Sequence, residues 1–526
     1  MPSSTTNPLP GRIDRIKSRL LYRRLKKFSQ CIGLSSLILV INYGELLGGG
    51  RDIRMHYPYG LGAICLAHIA DILLLGLGFF LILAPLHRTP IYQWVRLVLA
   101  ILIPPYLVTR IESALPFDIV DGLVPILSVV WAALLLLLML RYRLWYRRTT
   151  RFASAIVAFL GFFAVSAIGQ LLWVARWTPP SPAITATWAL GAQPPRVHPV
   201  LVWILFDELS YEQVFERRAH DLQMPNFDKL RAQSTVFTDV QPAGYKTVKV
   251  IPSLFTGHQV DDFRFSGQNR FWLHFEDEKG WHPISGRDTV FGDAKRNGWR
   301  TAVVGWYNPY CTLYGDAIDQ CYWSNKDKLD GPMIQGDSFR RNVESPLAQL
   351  GRDIQHPGRA TRHVCTEDVQ RRTLTHKDID AHALQLLRTD QADFVFLHFA
   401  VPHSPNIWSR ITDDYTQNCG SSYLDGLALA DRELGRLMKV LQASPRWQDT
   451  TVIVQGDHSW RIELWEGQPS WTDEDDQASR DTFDPRPALL IHQPGQTQPK
   501  INGTAWPLQR LHEIALQIVR GQPVKF

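Results

Sequence analysis

Ala132 to Leu140 reads AALLLLLML, without one polar side chain, and it belongs to the fourth of five apolar stretches between Phe28 and Val174. Each stretch is about 20 residues long, the length at which a helix crosses a bilayer. They run near 28–47, 60–86, 91–109, 119–140 and 152–175. Most of residues 28–176 is therefore expected to be an all-α transmembrane domain, a five-helix bundle, preceded by a basic arm at 1–27. The 526 residues exceed what one hydrophobic core organises, so a second unit has to follow.

Charge sets the orientation. Residues 1–180 hold 19 Lys/Arg against 7 Asp/Glu, although the whole chain is only +6. Eight of these cations precede the first stretch, and Arg141, Arg143, Arg147, Arg148 and Arg151 separate the fourth from the fifth. Basic loops stay cytoplasmic. With five spans, the chain beyond about Arg176 emerges on the other side, as expected of a multi-pass protein of a bacterial cytoplasmic (inner) membrane with an extracytoplasmic, periplasmic domain. The first apolar run sits behind a long basic arm and lacks a small-x-small cleavage site, which fits a signal peptide poorly. The basic pI belongs to these membrane flanks, so no nucleic acid partner is expected. At 20% charged and 45% apolar the chain is not disordered. Asn42 and Glu45 in the first stretch, His68 and Asp71 in the second and Pro104-Pro105 in the third interrupt the apolar runs. Helix contact or an inward-facing cavity accounts for such residues, and His68 with Asp71 at helical spacing is the pair to watch.

Cys31 and Cys65 fall in the apolar stretches, whereas Cys311, Cys321, Cys365 and Cys419 fall in the exported part. An even number in an oxidising compartment implies disulfides. Of three possible pairings, Cys311 with Cys321 is preferred, and Cys365 with Cys419 follows from it. No CxxC spacing supports a metal cluster.

After a Pro-, Ala- and Thr-rich linker at 177–199, the pattern changes to short buried runs: VLVWILF at Val200–Phe206, TAVVG at Thr301–Gly305, DFVFLHF at Asp393–Phe399, TTVIV at Thr450–Val454 and ALLI at Ala488–Ile491. Helical patterns alternate with them at 226–233, 378–388 and 423–441. This alternation predicts a C-terminal α/β domain over 200–526 with a mainly parallel sheet. Ligands bind at the carboxyl ends of such strands. There stand Asp207 and Glu208, then Pro402-His403, then Gly456-Asp457-His458: carboxylates and imidazoles of the kind a divalent cation needs.

The order of further motifs resembles a known family. Met224-Pro-Asn-Phe-Asp-Lys-Leu-Arg-Ala-Gln-Ser-Thr-Val-Phe-Thr238 is similar to the TPNLDRLAAEGVVFTN segment of the alkaline phosphatase/sulfatase superfamily. Thr247-Val-Lys-Val-Ile-Pro-Ser-Leu-Phe-Thr-Gly257 resembles its nucleophile segment, which closes on SLLTG, and counting back nine from Thr256 gives Thr247. FVFLHFAVPHSPN and VIVQGDHSW resemble the strand-His and SDHG segments, and Arg486–His492 a late strand. The resemblance covers roughly 200–520. It implies the superfamily's α/β fold, sulfatase-like or alkaline-phosphatase-like, and one divalent ion, Zn or Mn before Ca or Mg, held by Asp207, Thr247, Asp457 and His458, with Glu208 an uncertain fifth.

The departures select a branch. A sulfatase nucleophile lies in C/S-x-P/A-x-R, whereas Thr247-Val-Lys-Val-Ile251 has neither that Pro nor that Arg. An unmodified Thr nucleophile resembles the membrane phosphoethanolamine and phosphoglycerol (lipoteichoic-acid-synthase-like) transferases, which share five spans and an exported catalytic domain. The resemblance thus implies transfer of a phospho-head-group from a membrane phospholipid donor, through a phosphothreonine, to an envelope lipid or glycan acceptor. A membrane-tethered phosphatase, phosphodiesterase or sulfatase-like hydrolase is the alternative, and a non-catalytic lipid-binding sensor or scaffold the third. His403 is expected to bind or protonate the substrate, Lys246 or Lys249 to offset phosphate charge, and Trp460 and Arg461 to line the acceptor site. His398, His492 and His512 are available for a second metal, but no spacing places them. Specificity is expected in the insertions 257–288 and 308–377; the oligomeric state is open.

Overall fold

The computed structural model describes residues 12–47, 61–86, 89–112, 123–176, 198–266, 270–324, 338–355, 360–480 and 483–526. The expected linker at 177–199 lies, except for His198 and Pro199, outside the described residues, as do the first 11 residues of the basic arm. The chain forms two compact units. One comprises Met1–Gly50, Gly60–Trp177 and Met333–Gly351; the other Arg51–Tyr59, Thr178–Pro332 and Arg352–Phe526.

The first unit carries helices α1 (Arg12–Leu47), α2 (Gly62–Leu86), α3 (Ile91–Glu112), α4 (Leu123–Arg141) and α5 (Arg143–Val174). Small residues let α1 approach its neighbours: a Cβ at Gly76 of α2 would stand 2.5 Å from Ile32 Cδ1, and one at Gly161 of α5 would stand 2.5 Å from the Ser29 carbonyl oxygen. Apolar helices without a hydrophobic drive toward one another associate through such contacts. The buried side of α2 is the stripe Ile64, Cys65, Ala67, His68, Asp71, Ile72 and Gly76. Leu73, Leu74, Leu77, Leu81 and Ile82 are exposed on its other faces. Five helices thus lie where five spans were expected, but among the described residues only α2 is long and apolar enough to cross a membrane. Elsewhere the apolar helical parts are shorter: Ile91–Pro105, Ile126–Arg141 and Gly161–Val174.

The second unit is built on an eight-stranded sheet. Its strands are β1 (Val200–Phe206), β2 (Thr235–Phe237), β3 (Thr301–Gly305), β4 (Gln320–Trp323), β5 (Phe394–Phe399), β6 (Thr450–Gly456), β7 (Leu489–His492) and β8 (Lys500–Asn502), in the spatial order β8-β2-β7-β6-β1-β5-β3-β4. Only the β7 pairings with β6 and β2 are antiparallel. Central β1 is buried along its whole length. Val200, Val202, Ile204 and Phe206 enter one core, while Leu201, Trp203 and Leu205 enter the other. Two covered faces explain why the sequence is an unbroken apolar run rather than an alternation. On one face lie α6 (Pro225–Arg231), α8 (Ala360–Thr389) and α9 (Tyr423–Ala443); on the other lies α7 (Thr247–Thr256).

Both expected disulfide pairs are present. Cys311–Cys321, with Cα atoms 5.5 Å apart, fastens the turn before β4 to that strand. Cys365–Cys419, at 6.0 Å, fastens α8 to the segment preceding α9. Cys31 and Cys65 are free and buried.

Candidate metal centre and its surroundings

Because β1, β5, β3 and β6 run parallel, their carboxyl ends share one edge of the sheet, and the reactive side chains cluster there. Asp207 follows β1 and Asp457-His458 follow β6. The two strand ends meet closely. A Cβ on Gly456 would lie 2.5 Å from the Leu209 carbonyl oxygen, so glycine is what allows the turn after β6 to sit beneath the turn after β1. Thr247 opens α7, whose far end is closed by Gly257 in the left-handed region, φ 80°.

Asp457 is held in place from several directions. Its Oδ1 accepts hydrogen bonds from the Glu208 N–H at 3.1 Å and the His458 N–H at 2.9 Å, and its Oδ2 accepts from Thr247 Oγ1 at 2.8 Å. His458 Nδ1 donates to the Ser459 carbonyl at 3.0 Å, which turns Nε2 toward the acids; that atom stands 3.2 Å from Asp457 Oδ2 and 3.8 Å from Asp207 Oδ1. Neither His458 Nε2 nor Asp207 Oδ1 has a hydrogen-bond partner, although both are fully buried. Two buried polar atoms of ligand type, facing each other without hydrogen-bond partners, suit a cation. Asp207, Asp457 and His458 are the one group of three or more His, Cys, Asp or Glu among the described residues whose ligand atoms converge enough to hold a metal ion. With Thr247 Oγ1 alongside, the donor set is mixed carboxylate, imidazole and hydroxyl, which suits a divalent cation.

The electrostatics of the group suit a bound cation. Burial, then the charge of Asp457, pushes the Asp207 carboxyl well above the usual carboxylate range. Burial acts on Asp457 too, but His458, His398 and the hydrogen bonds from Glu208 and Thr247 outweigh it and hold Asp457 below that range.

Glu208 is not part of this group. Its backbone takes φ 66°, and its carboxylate accepts hydrogen bonds from Arg461 Nε at 2.5 Å and Trp465 Nε1 at 2.9 Å. The left-handed turn sends consecutive acids in different directions. Arg461 also donates to the Tyr245 carbonyl at 3.3 Å, so Glu208 positions a cation beside the loop that leads into Thr247.

His403 follows β5. Its Nδ1 is 2.5 Å from the Ser404 carbonyl, and its ring meets the edges of Trp306 and Trp465 at 5.6 and 5.0 Å. Burial, then the Arg372 and Arg461 charges, holds its pKa well below the histidine range, so the free protein carries it neutral. Arg372, buried on α8, lies 4.2 Å over the Trp306 ring and 3.5 Å from His403 Nδ1.

Two expected contributors, Lys249 and Trp460, turn to other partners. Lys249 Nζ turns to the Asp261 carbonyl, away from the cluster, because it faces the opposite side of α7 from the buried stripe. Trp460 is buried, stacked on Tyr423 at 4.3 Å and Trp471 at 5.4 Å, and supports the turn after β1 through Tyr423, whose hydroxyl donates to the Glu208 carbonyl. Lys246 is the exposed residue before α7. The histidines weighed for a second metal have other partners. His398 accepts from Trp306 Nε1 at 3.2 Å and donates to Tyr310 at 2.7 Å; burial pushes its pKa down to about 4. His492 stacks on Trp447, and His512 meets the Phe255 carbonyl at the end of α7.

Sequence reasoning missed Trp306, Asn308 and Arg372. Trp306 directly follows β3, so the strand-end rule applied there would have found it. Asn308, two residues on, places its amide 3.5 Å from the Thr247 carbonyl. Arg372 interrupts the apolar stripe Val369, Ile379, Ala383 of α8, a charged side chain at a core position.

The family model described as Sulfatase matches residues 199–506. No curated protein matches the chain. Solved structures similar to it include Ps i-CgsB in complex with k-i-k-neocarrahexaose, at 14% identity over 62% of this chain and 73% of that chain, TM-score 0.41. PsFucS1 sulfatase from Pseudoalteromonas sp. is 13% identical over 62% and 69%, TM-score 0.40. The phosphonate monoester hydrolase of Agrobacterium radiobacter is 14% identical over 61% and 74%, TM-score 0.39.

Proposed function

The chain belongs to the sulfatase family, within the alkaline phosphatase superfamily, and from that premise we propose that it is a membrane-anchored phosphotransferase that uses Thr247 as an unmodified nucleophile. Its donor is a membrane phospholipid and its acceptor a hydroxyl of an envelope lipid or glycan. The observation that carries this reading is the hydrogen bond from Thr247 Oγ1 to Asp457 Oδ2 inside the buried Asp207, Asp457 and His458 group. A formylglycine needs a Cβ that oxidises to an aldehyde, and the methyl group on the threonine Cβ forbids this. Thr247 therefore works as a hydroxyl, whose chemistry suits phosphorus esters.

A divalent cation bound by Asp207, Thr247, Asp457 and His458 would favour the threonine alkoxide and offset charge on the ester oxygens. The rest falls to the chain's own groups. Asp457 Oδ2 orients the Thr247 hydroxyl and takes up its hydrogen bond. Attack of Oγ1 on phosphorus forms the Oγ1–P bond as the Thr247 proton passes to Asp457 Oδ2, and breaks the bond to the diacylglycerol oxygen, which takes a proton from water as it leaves; Asp457 returns its proton to Oγ1 in the second displacement. His403, neutral in the free protein, accepts the proton of the incoming hydroxyl as that oxygen displaces Thr247. Arg372 and Arg461 neutralise the transferred group. Helix α2 anchors the enzyme beside its lipid donor.

The test is mass spectrometry of the Thr247-containing peptide after the purified chain is incubated with Mn or Zn and phospholipids of defined head group. A head-group phosphoryl adduct on Thr247, absent from Thr247→Ala, is expected, and its mass identifies the donor. Equal spectra for wild type and Thr247→Ala with every metal and donor would overturn the mechanism. An adduct discharged by water as fast as with any acceptor would make the enzyme a hydrolase.

A further inference from the structure

Helix α2 buries two ionisable side chains that the ester chemistry does not use. Asp71 is fully buried and His68 is 3% exposed. Neither Asp71 oxygen and neither His68 ring nitrogen has a hydrogen-bond partner. Both lie on the stripe of α2 that holds its buried residues, one helical turn apart, so their Cβ atoms are neighbours on one face.

The seam around them is polar without being charged. From α1, Ser35 Oγ donates to the Ile72 carbonyl at 2.7 Å, Ser36 and Tyr43 are bonded at 2.6 Å, Asn42 is buried, and the Tyr43 ring lies 6.5 Å from that of His68. Cys65 of α2 and Cys31 of α1 are the buried thiols. α5 brings no charged residue between Phe152 and Val174. From α3, Arg96 stands near the end that follows the α2–α3 turn, and Glu45 of α1 and Arg110 and Glu112 of α3 have side chains outside the described residues. An ionisable group in such a seam is retained for binding rather than for stability. Among the described residues no group of three metal ligands converges here, since the one such group lies in the other unit. A proton needs only one.

We propose that Asp71 and His68 form a proton-binding relay in the membrane unit, with Asp71 as the holding site and His68 as the exchange partner nearer the start of α2. In the transfer an N–H bond of the imidazolium breaks as an O–H bond forms on Asp71, directly after a rotamer change or across one water, and the imidazole recovers a proton from the aqueous side. The seam between α1 and α2 then exists in two states, with Asp71 neutral or charged. The relay rests on the membrane unit alone and does not depend on the function proposed for the other.

The test is infrared difference spectroscopy of the full-length protein in lipid nanodiscs. A protonated-carboxyl stretch is expected at neutral pH in wild type. It should be missing from Asp71→Asn and shifted in Asp71→Glu, which keeps a carboxyl in the seam. His68→Gln should retain the band but slow its exchange with D2O about tenfold or more. Absence of an Asp71 band from pH 5 to pH 9, its removal by Na+ at fixed pH, or unaltered exchange in His68→Gln would each overturn the relay.

Discussion

The guanidinium of Arg372 lies 4.2 Å over the Trp306 ring, and its Nη2 stands 3.5 Å from His403 Nδ1. A buried cation stacked on an indole is fixed in place and partly stripped of water, which strengthens its pull on an anion. Arg372→Ala is therefore expected to lower kcat/KM about 100-fold. Arg372→Lys should recover only part of it. Competitive inhibition by inorganic phosphate separates this role from a structural one, since it should weaken in parallel while the melting temperature of the lysine variant stays near wild type.

Thr247→Ala should lower kcat by at least about 10³-fold and leave KM within a few-fold, because the lost interaction is made only as the ester reacts. Thr247→Ser keeps the hydroxyl and should keep measurable turnover. Steady-state kinetics on a chromogenic phosphodiester checks both.

Chelation should abolish activity and destabilise the second unit together. An ion at about 100 times its Kd contributes about 2.7 kcal/mol to the folded state. Scanning calorimetry with and without Mn or Zn reads this contribution, and Asp457→Asn should show little of it.

Asp380 of α8 and Glu433 of α9 sit together, bridged by Arg436 Nη1 at 2.9 and 3.0 Å, with His376 Nε2 3.5 Å from Glu433. Burial, then the bond and charge of Glu433, pushes Asp380 up to about 7. A carboxyl raised in the folded state contributes stability below its unfolded pKa and loses it as pH rises through the folded value. Stability is thus expected to fall between about pH 4 and pH 7 through this group. Glu433, held down to about 2 against its burial by His376, acts in the opposite sense, but only below its ordinary value of 4.5. Urea denaturation across pH 5 to 8 should show the decline in wild type and a flatter profile in Asp380→Asn.

Removing the Cys311–Cys321 bridge as a double alanine variant should cost about 2–3 kcal/mol. Its ten-residue separation makes it a local clamp on edge strand β4. Guanidinium unfolding measures the loss, and activity below the transition should change little.

The parallel sheet was readable because β1 and β5 are covered on both faces and so read as continuous apolar runs. The same fact made the strand-end rule work for Asp207, Asp457 and His458, which the structure brings together. His403 also lies at that edge, but its neutral state comes first from burial and then from the charge of Arg372, a residue of α8 that no local pattern connects to it. Lys249 shows the converse. Its proximity to Thr247 in sequence suggested phosphate binding, yet the rotation over two helical positions sends its ammonium to the Asp261 carbonyl. Apolar length located all five N-terminal helices. It could not tell a lipid-facing helix from one packed among its neighbours, because both are apolar all round.

The left-handed turn at Glu208 gives neighbouring acids two separate tasks, one at the ion group and one at Arg461. The spacing of Asp207 and Glu208 along the turn therefore matters more than the chemistry of Glu208 alone. Deleting either Asp207 or Glu208 would leave one carboxylate for two posts and pull it out of register with both, and should be more damaging than replacing Glu208 itself, so deletion scanning would mark this stretch as the least elastic in the catalytic unit.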